Sequence, residues 1–130
     1  MPDLLYEDIT YQIRGARFWV YKEFRGAFKE SIVDNALTKE LIDRGLNVEN
    51  QKRIDIFYKD KKVGVYIPDK IINGKVLLEI KCKPVLSKGD IDQFWKYLKG
   101  SNYKLGMLIN FSPDGLKIER IAYDKIRNKN

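Results

Sequence analysis

The strongest constraint on the fold is the pair Asn73-Gly74, which separates two largely apolar runs, 63–72 and 75–82. Asn-Gly between such runs is typical of a hairpin turn, so we expect two antiparallel strands. Side chains alternate along a strand, and Glu79 and Lys81 therefore share one face of the second strand. The other face carries the apolar side chains of Leu78, Ile80 and Cys82.

The register of this hairpin decides whether Asp69 meets Glu79. A two-residue turn pairs Ile72 with Lys75 and places Asp69 on the opposite face from Glu79. A three-residue turn, built as a type I turn with a bulge, pairs Ile72 with Val76 and sets Asp69 directly across from Glu79. Opposed Cβ atoms lie about 4.5–5.5 Å apart, close enough for two carboxylates to share a cation. We predict the bulged register.

Two carboxylates and an ammonium beside a buried sheet are costly unless they pair with each other or hold a metal. The chain has no histidine and one cysteine, which excludes histidine-based triads and zinc sites made of histidine or cysteine. Oxygen ligands favour Mg²⁺, Mn²⁺ or Ca²⁺. A metal site is therefore one interpretation, and a structural ion pair between Asp69 and Lys81 is the other.

The rest of the chain predicts a mixed sheet flanked by helices. Helical periodicity covers 8–25 and 27–44, and a capping box at Ser87–Asp90 opens a third helix that ends at Gly100. The run 105–111 is typical of a central buried strand. With further strands over 48–58 and 116–123, the order is ααβββαββ. No linker or repeat divides the chain, so we expect one domain spanning 1–130.

Charge and composition indicate the class of partner and the compartment. The formal net charge of +7 favours a polyanion such as nucleic acid. Residues 1–8 are acidic and lack the layout of a signal peptide, and no apolar run reaches the roughly 18 residues of a membrane span. A single cysteine suits a reducing compartment. We expect a cytoplasmic protein that does not associate with membranes.

The order of Glu30, Pro68-Asp69 and Glu79-Ile80-Lys81 resembles the core of the PD-(D/E)xK nuclease superfamily. The likeness extends over almost the whole chain to one branch, the short GxxExxY proteins, although Ala27 and Val33 stand where that motif has glycine and tyrosine. It implies an α/β (α+β) fold with a mixed central sheet and a restriction-endonuclease-like αβββαβ core. The matching segments are 14–16, 27–33, 79–82, 93–98 and 105–111.

The resemblance also implies a site. Asp69, Glu79 and the Ile80 carbonyl would hold Mg²⁺ or Mn²⁺, and Glu30 would join them directly or through water. Lys81 would orient the attacking water or stabilise the transition state.

Residues on two of the predicted helices are further candidates for the site. From its helical position alone, Glu30 is either an exposed residue at the edge of the apolar stripe or a site member. Gln93 and Tyr97 lie one helical turn apart and match the Q-x-x-x-Y pattern of the exonuclease branch. Gln93 is therefore a catalytic candidate, and Tyr97 is either a site neighbour or ordinary packing.

These observations predict a metal-dependent nuclease that hydrolyses phosphodiester bonds, with DNA expected as the substrate in preference to RNA. The alternatives are a catalytically weak or inactive module on the same fold, binding nucleic acid or protein, and a small basic subunit of a larger complex. A domain of this size has no separate recognition domain. Sequence specificity would therefore need a homodimer or a larger assembly.

Overall fold

The computed structural model describes residues 5–25, 29–112 and 115–122, with the backbone alone for 116–122. Its helices are α1 (Glu7–Phe24), α2 (Glu30–Asp43) and α3 (Lys88–Gly100). Its strands are β1 (Val48–Asn50), β2 (Ile54–Tyr58), β3 (Lys61–Tyr66), β4 (Lys70–Ile72), β5 (Val76–Lys81), β6 (Leu105–Ser112) and β7 (Gly115–Ala122).

The strands form a five-stranded mixed sheet in the order β1-β4-β5-β6-β7 and a separate two-stranded sheet of β2 and β3. β5 and β6 are parallel, and the other neighbours in the large sheet are antiparallel. α3 connects β5 to β6 because parallel neighbours need a crossover. The predicted fold class, a mixed sheet flanked by helices, is confirmed.

Helices cover both faces of the large sheet. On one face α1 and α2 pack over a buried core, which takes Leu78 and Ile80 from β5. On the other face α3 and the β2–β3 sheet cover a second core, to which β5 contributes Leu77. Phe94 of α3 lies directly over Gly106 of β6, where an added Cβ would come within 2.6 Å of the Phe94 ring. The close approach of α3 therefore requires a glycine in β6.

The bulged register of the β4–β5 hairpin is confirmed, since Ile72 pairs with Val76. The turn itself differs from the expected type I turn, because Asn73 and Gly74 both have positive φ, at 53° and 65°. Such a pair of angles is typical of a type I′ turn. Asn73 is held there by Asn47, whose N–H donates to Asn73 Oδ1 at 2.8 Å and whose carbonyl accepts from Asn73 N at 2.9 Å.

Two strands predicted as continuous are each divided. The predicted strand 63–72 becomes β3 and β4, because Pro68 between them has no N–H to give to a ladder. The predicted strand 48–58 becomes β1 and β2, which belong to different sheets. We refer to β2, β3 and the turn between them, Ile54–Tyr66, as the arm.

The helix boundaries agree with the sequence pattern wherever they are described. The capping box of α3 is present, with the Asp90 N–H donating to Ser87 Oγ and the Ser87 N–H donating to Asp90 Oδ2. The predicted start of α2 at Ala27, and residues 113–114 of the last turn, lie outside the described residues. Within the part of the chain described, no helix is long and apolar enough to cross a membrane.

Candidate active site

Asp69 and Glu79 hold each other in place across the β4–β5 hairpin. Asp69 lies just before β4, and the Asp69 N–H donates to Glu79 Oε1 at 3.1 Å. In return, the Ile80 N–H of β5 donates to Asp69 Oδ2 at 2.7 Å. Each carboxylate therefore uses one oxygen to accept a hydrogen bond from the other side of the hairpin. Among the described residues, Asp69 Oδ1 and Glu79 Oε2 accept no hydrogen bond.

A pair of stacked tyrosines supports Glu79 from the side of α3. Tyr66, the last residue of the arm, donates its hydroxyl to Glu79 Oε1 at 2.8 Å. Its ring stacks on Tyr97 of α3 with centroids 4.1 Å apart and planes 4° from parallel. Tyr66 is buried, so its hydroxyl needs a partner and Glu79 supplies one.

Lys81 follows Glu79 on the same face of β5 and is half-buried. Within the described residues its ammonium forms no hydrogen bond and no ion pair. The structural ion pair between Asp69 and Lys81, the alternative interpretation of the sequence, is therefore absent from these residues. Lys81 nevertheless lowers the pKa of Asp69, Glu79 and Glu30 through its charge. The ammonium is thus near all three carboxylates and bound to none of them.

Burial and the charge of Asp69 raise the pKa values of both Glu79 and Glu30. Burial raises the pKa of Glu79 to about 7, and the charge of Asp69 contributes next. Burial is also the main cause of the raised pKa of Asp69. Glu30, an exposed residue at the start of α2, has a pKa raised by burial of its carboxyl and by the charge of Asp69. Negative charge is therefore concentrated where the two strands and α2 meet.

The remaining sequence candidates, Gln93 and Tyr97, lie on α3. Gln93 is exposed on the outer face of α3 and lines a shallow groove with Tyr97, but it forms no hydrogen bond with Asp69 or Glu79. Tyr97 reaches the centre through its stack on Tyr66. Cys82 is half-buried against the core under α1 and α2, and burial raises the pKa of its thiol to about 11, so it is not a reactive thiolate.

A sequence profile of the PD-(D/E)XK nuclease superfamily matches residues 7–121. The chain belongs to this superfamily. The matched range contains Asp69, Glu79 and Lys81, together with every described helix and most of the strands. The narrower likeness to the GxxExxY branch stays a prediction. No curated protein matches the chain.

One solved structure agrees with this assignment at the level of the fold. The crystal structure of SSO0001 superposes with a TM-score of 0.52 at 20% identity, covering 92% of this chain and 72% of the other. An alkaline exonuclease (LHK-Exo) from Laribacter hongkongensis gives a TM-score of 0.48 at 15% identity, covering 71% of this chain. The alignment spans 55% of the exonuclease.

The carboxylates of this PD-(D/E)XK protein fit a magnesium-like ion. Among the described residues, no three acidic or cysteine side chains are arranged to hold a metal, so a site would rest on Asp69 and Glu79. Mg²⁺ commonly binds through one or two carboxylates and keeps several waters, whereas larger cages suit Ca²⁺. Two carboxylate oxygens without hydrogen bonds, one on each side of the hairpin and each on a group whose pKa like charge raises, provide that donor set.

A second polar cluster was missed from the sequence. Lys70, directly after Asp69, points to the opposite face of β4 and is completely buried. Its ammonium donates to Asp34, to Thr38 Oγ1 at 2.6 Å and to Asn50 Oδ1 at 2.9 Å. The sequence features that could have predicted this cluster are a lysine within an apolar strand, and Asp34 and Thr38 one turn apart on α2. This cluster fixes β4 against α2.

Glu79→Gln is expected to stabilise the metal-free protein at pH 8 by about 2–3 kcal/mol, with little effect near pH 5. The pKa of Glu79 is raised from 4.5 to about 7, so between these values the folded state keeps a proton that the unfolded state releases. Wild-type stability therefore falls as pH rises through this window. The glutamine keeps an acceptor for Tyr66 and has no charge to bury.

Urea unfolding in EDTA at several pH values measures this difference. Glu23→Gln, at an exposed position of α1, is the control and should show no comparable trend. A stabilisation that stays constant from pH 5 to pH 8 would contradict the explanation.

Proposed function

We propose that this protein is a metal-dependent nuclease that uses Mg²⁺ or Mn²⁺ to hydrolyse phosphodiester bonds, with DNA as its substrate. One observation carries the proposal: Asp69 and Glu79 face each other across a hairpin, each with an oxygen not used in hydrogen bonding, and Lys81 lies on the same face without a partner among the described residues. Membership of the PD-(D/E)XK superfamily supports the same chemistry.

Each residue has a defined part in this chemistry. Asp69 and Glu79 would hold the cation through Oδ1 and Oε2, while their other oxygens stay bound to backbone N–H groups and Tyr66. A bound divalent cation lowers the pKa of a coordinated water and neutralises charge on the phosphate. Lys81 orients the attacking water or stabilises the negative charge that develops on the phosphate oxygens. Glu30 acts through water from the start of α2.

A cleavage assay tests the proposal. Labelled duplex, single-stranded and branched DNA, and RNA, are incubated with Mg²⁺, Mn²⁺ or EDTA. We expect the wild type to cleave DNA only with a divalent cation, and Asp69→Ala to reduce the rate by at least about 10³-fold, as removal of an essential catalytic group does. Asp43→Ala, at the far end of α2, is the control. Cleavage that persists in EDTA, or in Asp69→Ala, would contradict the proposal.

A second candidate is a module that binds nucleic acid or protein on the same fold with little or no turnover. It is favoured by the absence, within the described ranges, of a third acidic or cysteine ligand beside Asp69 and Glu79. Binding of DNA by the wild type without cleavage in any divalent cation would establish this module in place of the enzyme.

A further inference from the structure

The inner half of the arm packs against the rest of the molecule. Ile54, Ile56 and Tyr66 pack against the core under α3. In the outer half, Phe57, Tyr58 and Val63 are 52%, 62% and 58% exposed. An isolated two-stranded ribbon is at best marginally stable in water, and exposed aromatic rings add no burial to stabilise it. The outer half therefore presents its rings to solvent.

The outer half is nevertheless sharply defined in conformation. The register of the ribbon shifts between Ile56 and Phe57, which leaves Val63 without a pairing partner and forms a bulge. Lys59 and Asp60 close the ribbon with φ angles of 48° and 64°, the angles of a tight two-residue turn. Bulges bend and twist a strand and redirect its side chains. The arm is thus a short projecting hairpin and not an irregular loop.

The arm has a net positive charge, with three lysines against two aspartates. Lys59, Lys61 and Lys62 cluster around the turn and are all exposed, and the nearby carboxylates are Asp55 and Asp60. Lys59 Nζ lies 5.4 Å from the centroid of the Tyr58 ring. Exposed aromatic rings interleaved with lysines are the combination by which proteins bind single-stranded nucleic acid, since bases stack on the rings and cations contact phosphates.

The arm leads directly into the catalytic centre. Its last residue, Tyr66, donates to Glu79. Tyr66 lies five positions after Lys61 near the tip, and at about 3.3 Å per residue this is roughly 16 Å. A nucleic-acid strand advances by about 3.4 Å per nucleotide, so the tip lies about five nucleotides from the centre. One bound strand can therefore contact both.

A cleft beside the arm continues the same surface. Its volume is about 440 Å³, enough to hold a nucleotide base with its sugar. The cleft combines aromatic rings with lysines, as the tip does. Its aromatic and charged lining residues are Tyr6, Asp55, Phe57, Lys75, Tyr103 and Lys104.

We infer that the arm is a binding surface for single-stranded nucleic acid. Bases stack on Phe57 and Tyr58, the lysines around the turn contact phosphates, and the strand then runs along α3 to Asp69 and Glu79. This inference rests on the proposed function for its substrate. Binding is measured in EDTA, so that its outcome does not depend on cleavage.

Tyr58→Ala tests the stacking. Its matched control is Tyr11→Ala, because Tyr11 is 65% exposed on α1, on the other face of the sheet. Fluorescence anisotropy of a labelled oligothymidylate of about 12 nucleotides measures the Kd. We expect Tyr58→Ala to weaken binding by about 5- to 100-fold and Tyr11→Ala to leave it within about twofold. Equal effects of the two substitutions would overturn the inference.

A double substitution tests the phosphate contacts. Lys59→Asn with Lys62→Gln removes one lysine above an aromatic ring and one in an exposed ion pair with Asp55. Lys22→Gln with Lys39→Gln removes a matched pair on α1 and α2, one above Trp19 and one paired with Asp43. We expect the arm variant to reduce the slope of log K against log salt by about 1.4, and the control to leave it unchanged. An unchanged slope in the arm variant would contradict the phosphate contacts.

The outcomes separate this inference from the proposed function. Cleavage by the wild type together with unaltered binding by both arm variants would overturn the inference and leave the nuclease standing. Arm-dependent binding without cleavage would support the inference and contradict the proposed nuclease activity. A change in molecular mass by light scattering in the arm variants, with DNA binding unaltered, would assign the arm to contact with a second copy of the chain and overturn the inference.

Discussion

Lys81→Met is expected to lower the rate of DNA cleavage by about 10²- to 10³-fold while leaving the affinity for Mg²⁺ within about threefold of the wild type. The ammonium forms no hydrogen bond or ion pair with the described residues, so its removal breaks no structural contact there. Methionine keeps the length of the side chain at a half-buried position of β5. The substitution removes the charge that orients the attacking water or stabilises developing negative charge, and the same charge lowers the pKa values of Asp69 and Glu79.

Asp69→Asn provides the contrasting result. The asparagine still offers an oxygen to the Ile80 N–H, yet it removes one of the two carboxylates, so both metal affinity and cleavage should fall. Calorimetric titration with Mg²⁺ and single-turnover cleavage separate the two effects. Lys39→Met, in an exposed ion pair on α2, is the control and should alter neither quantity. A loss of Mg²⁺ affinity in Lys81→Met, or full activity in that variant, would contradict the assigned role.

Lys70→Met should lower the free energy of unfolding by about 3 kcal/mol, which corresponds to a drop in Tm of about 10 °C. The side chain is completely buried, and its ammonium serves acceptors on Asp34, Thr38 and Asn50. Removing the cation leaves a partly buried carboxylate on α2 without its counter-charge. Removing one partner of a buried ion pair destabilises the fold by more than the intact pair stabilises it.

Urea unfolding at pH 7 measures this loss. Adding Asp34→Asn to Lys70→Met should recover part of it, because the neutral amide is cheaper to bury than an unpaired carboxylate. The exposed ion pair between Lys39 and Asp43 on the same helix offers a control, and Lys39→Met should change stability by less than about 0.5 kcal/mol. A loss below about 1 kcal/mol in Lys70→Met would show that the buried cluster does not fix β4 against α2.

The features predicted correctly from the sequence depend on local signals. Asn73-Gly74 defines the hairpin, alternation assigns Glu79 and Lys81 to one face, and Ser87 with Asp90 begins α3. These signals act over a few residues, where turn geometry and backbone hydrogen bonds decide the outcome. The meeting of Asp69 with Glu79 follows from the register of that one turn.

The features that were missed depend on which distant elements pack together. Pro68 marks a break, but nothing nearby shows that β2 and β3 leave the large sheet. The support of Glu79 by Tyr66 requires knowing that the arm lies along α3. The burial of Lys70 likewise requires the position of α2 over β4. The alternation of side chains along a strand predicts which face of the sheet each residue lies on. It does not predict which helix or strand covers that face.

The chain leaves the large sheet after Asn50 and returns to it at Lys70, and these two residues are paired neighbours in the sheet. The Gln51 N–H also donates to the carbonyl of Asp69 at 3.1 Å, which closes the base of the excursion. Segments whose two ends lie side by side can change in length with little cost to the remainder. Evolution can thus lengthen, shorten or exchange the hairpin while Asp69 stays in place. Protein engineers could graft a different recognition element at the same junction, provided that a hydroxyl still reaches Glu79.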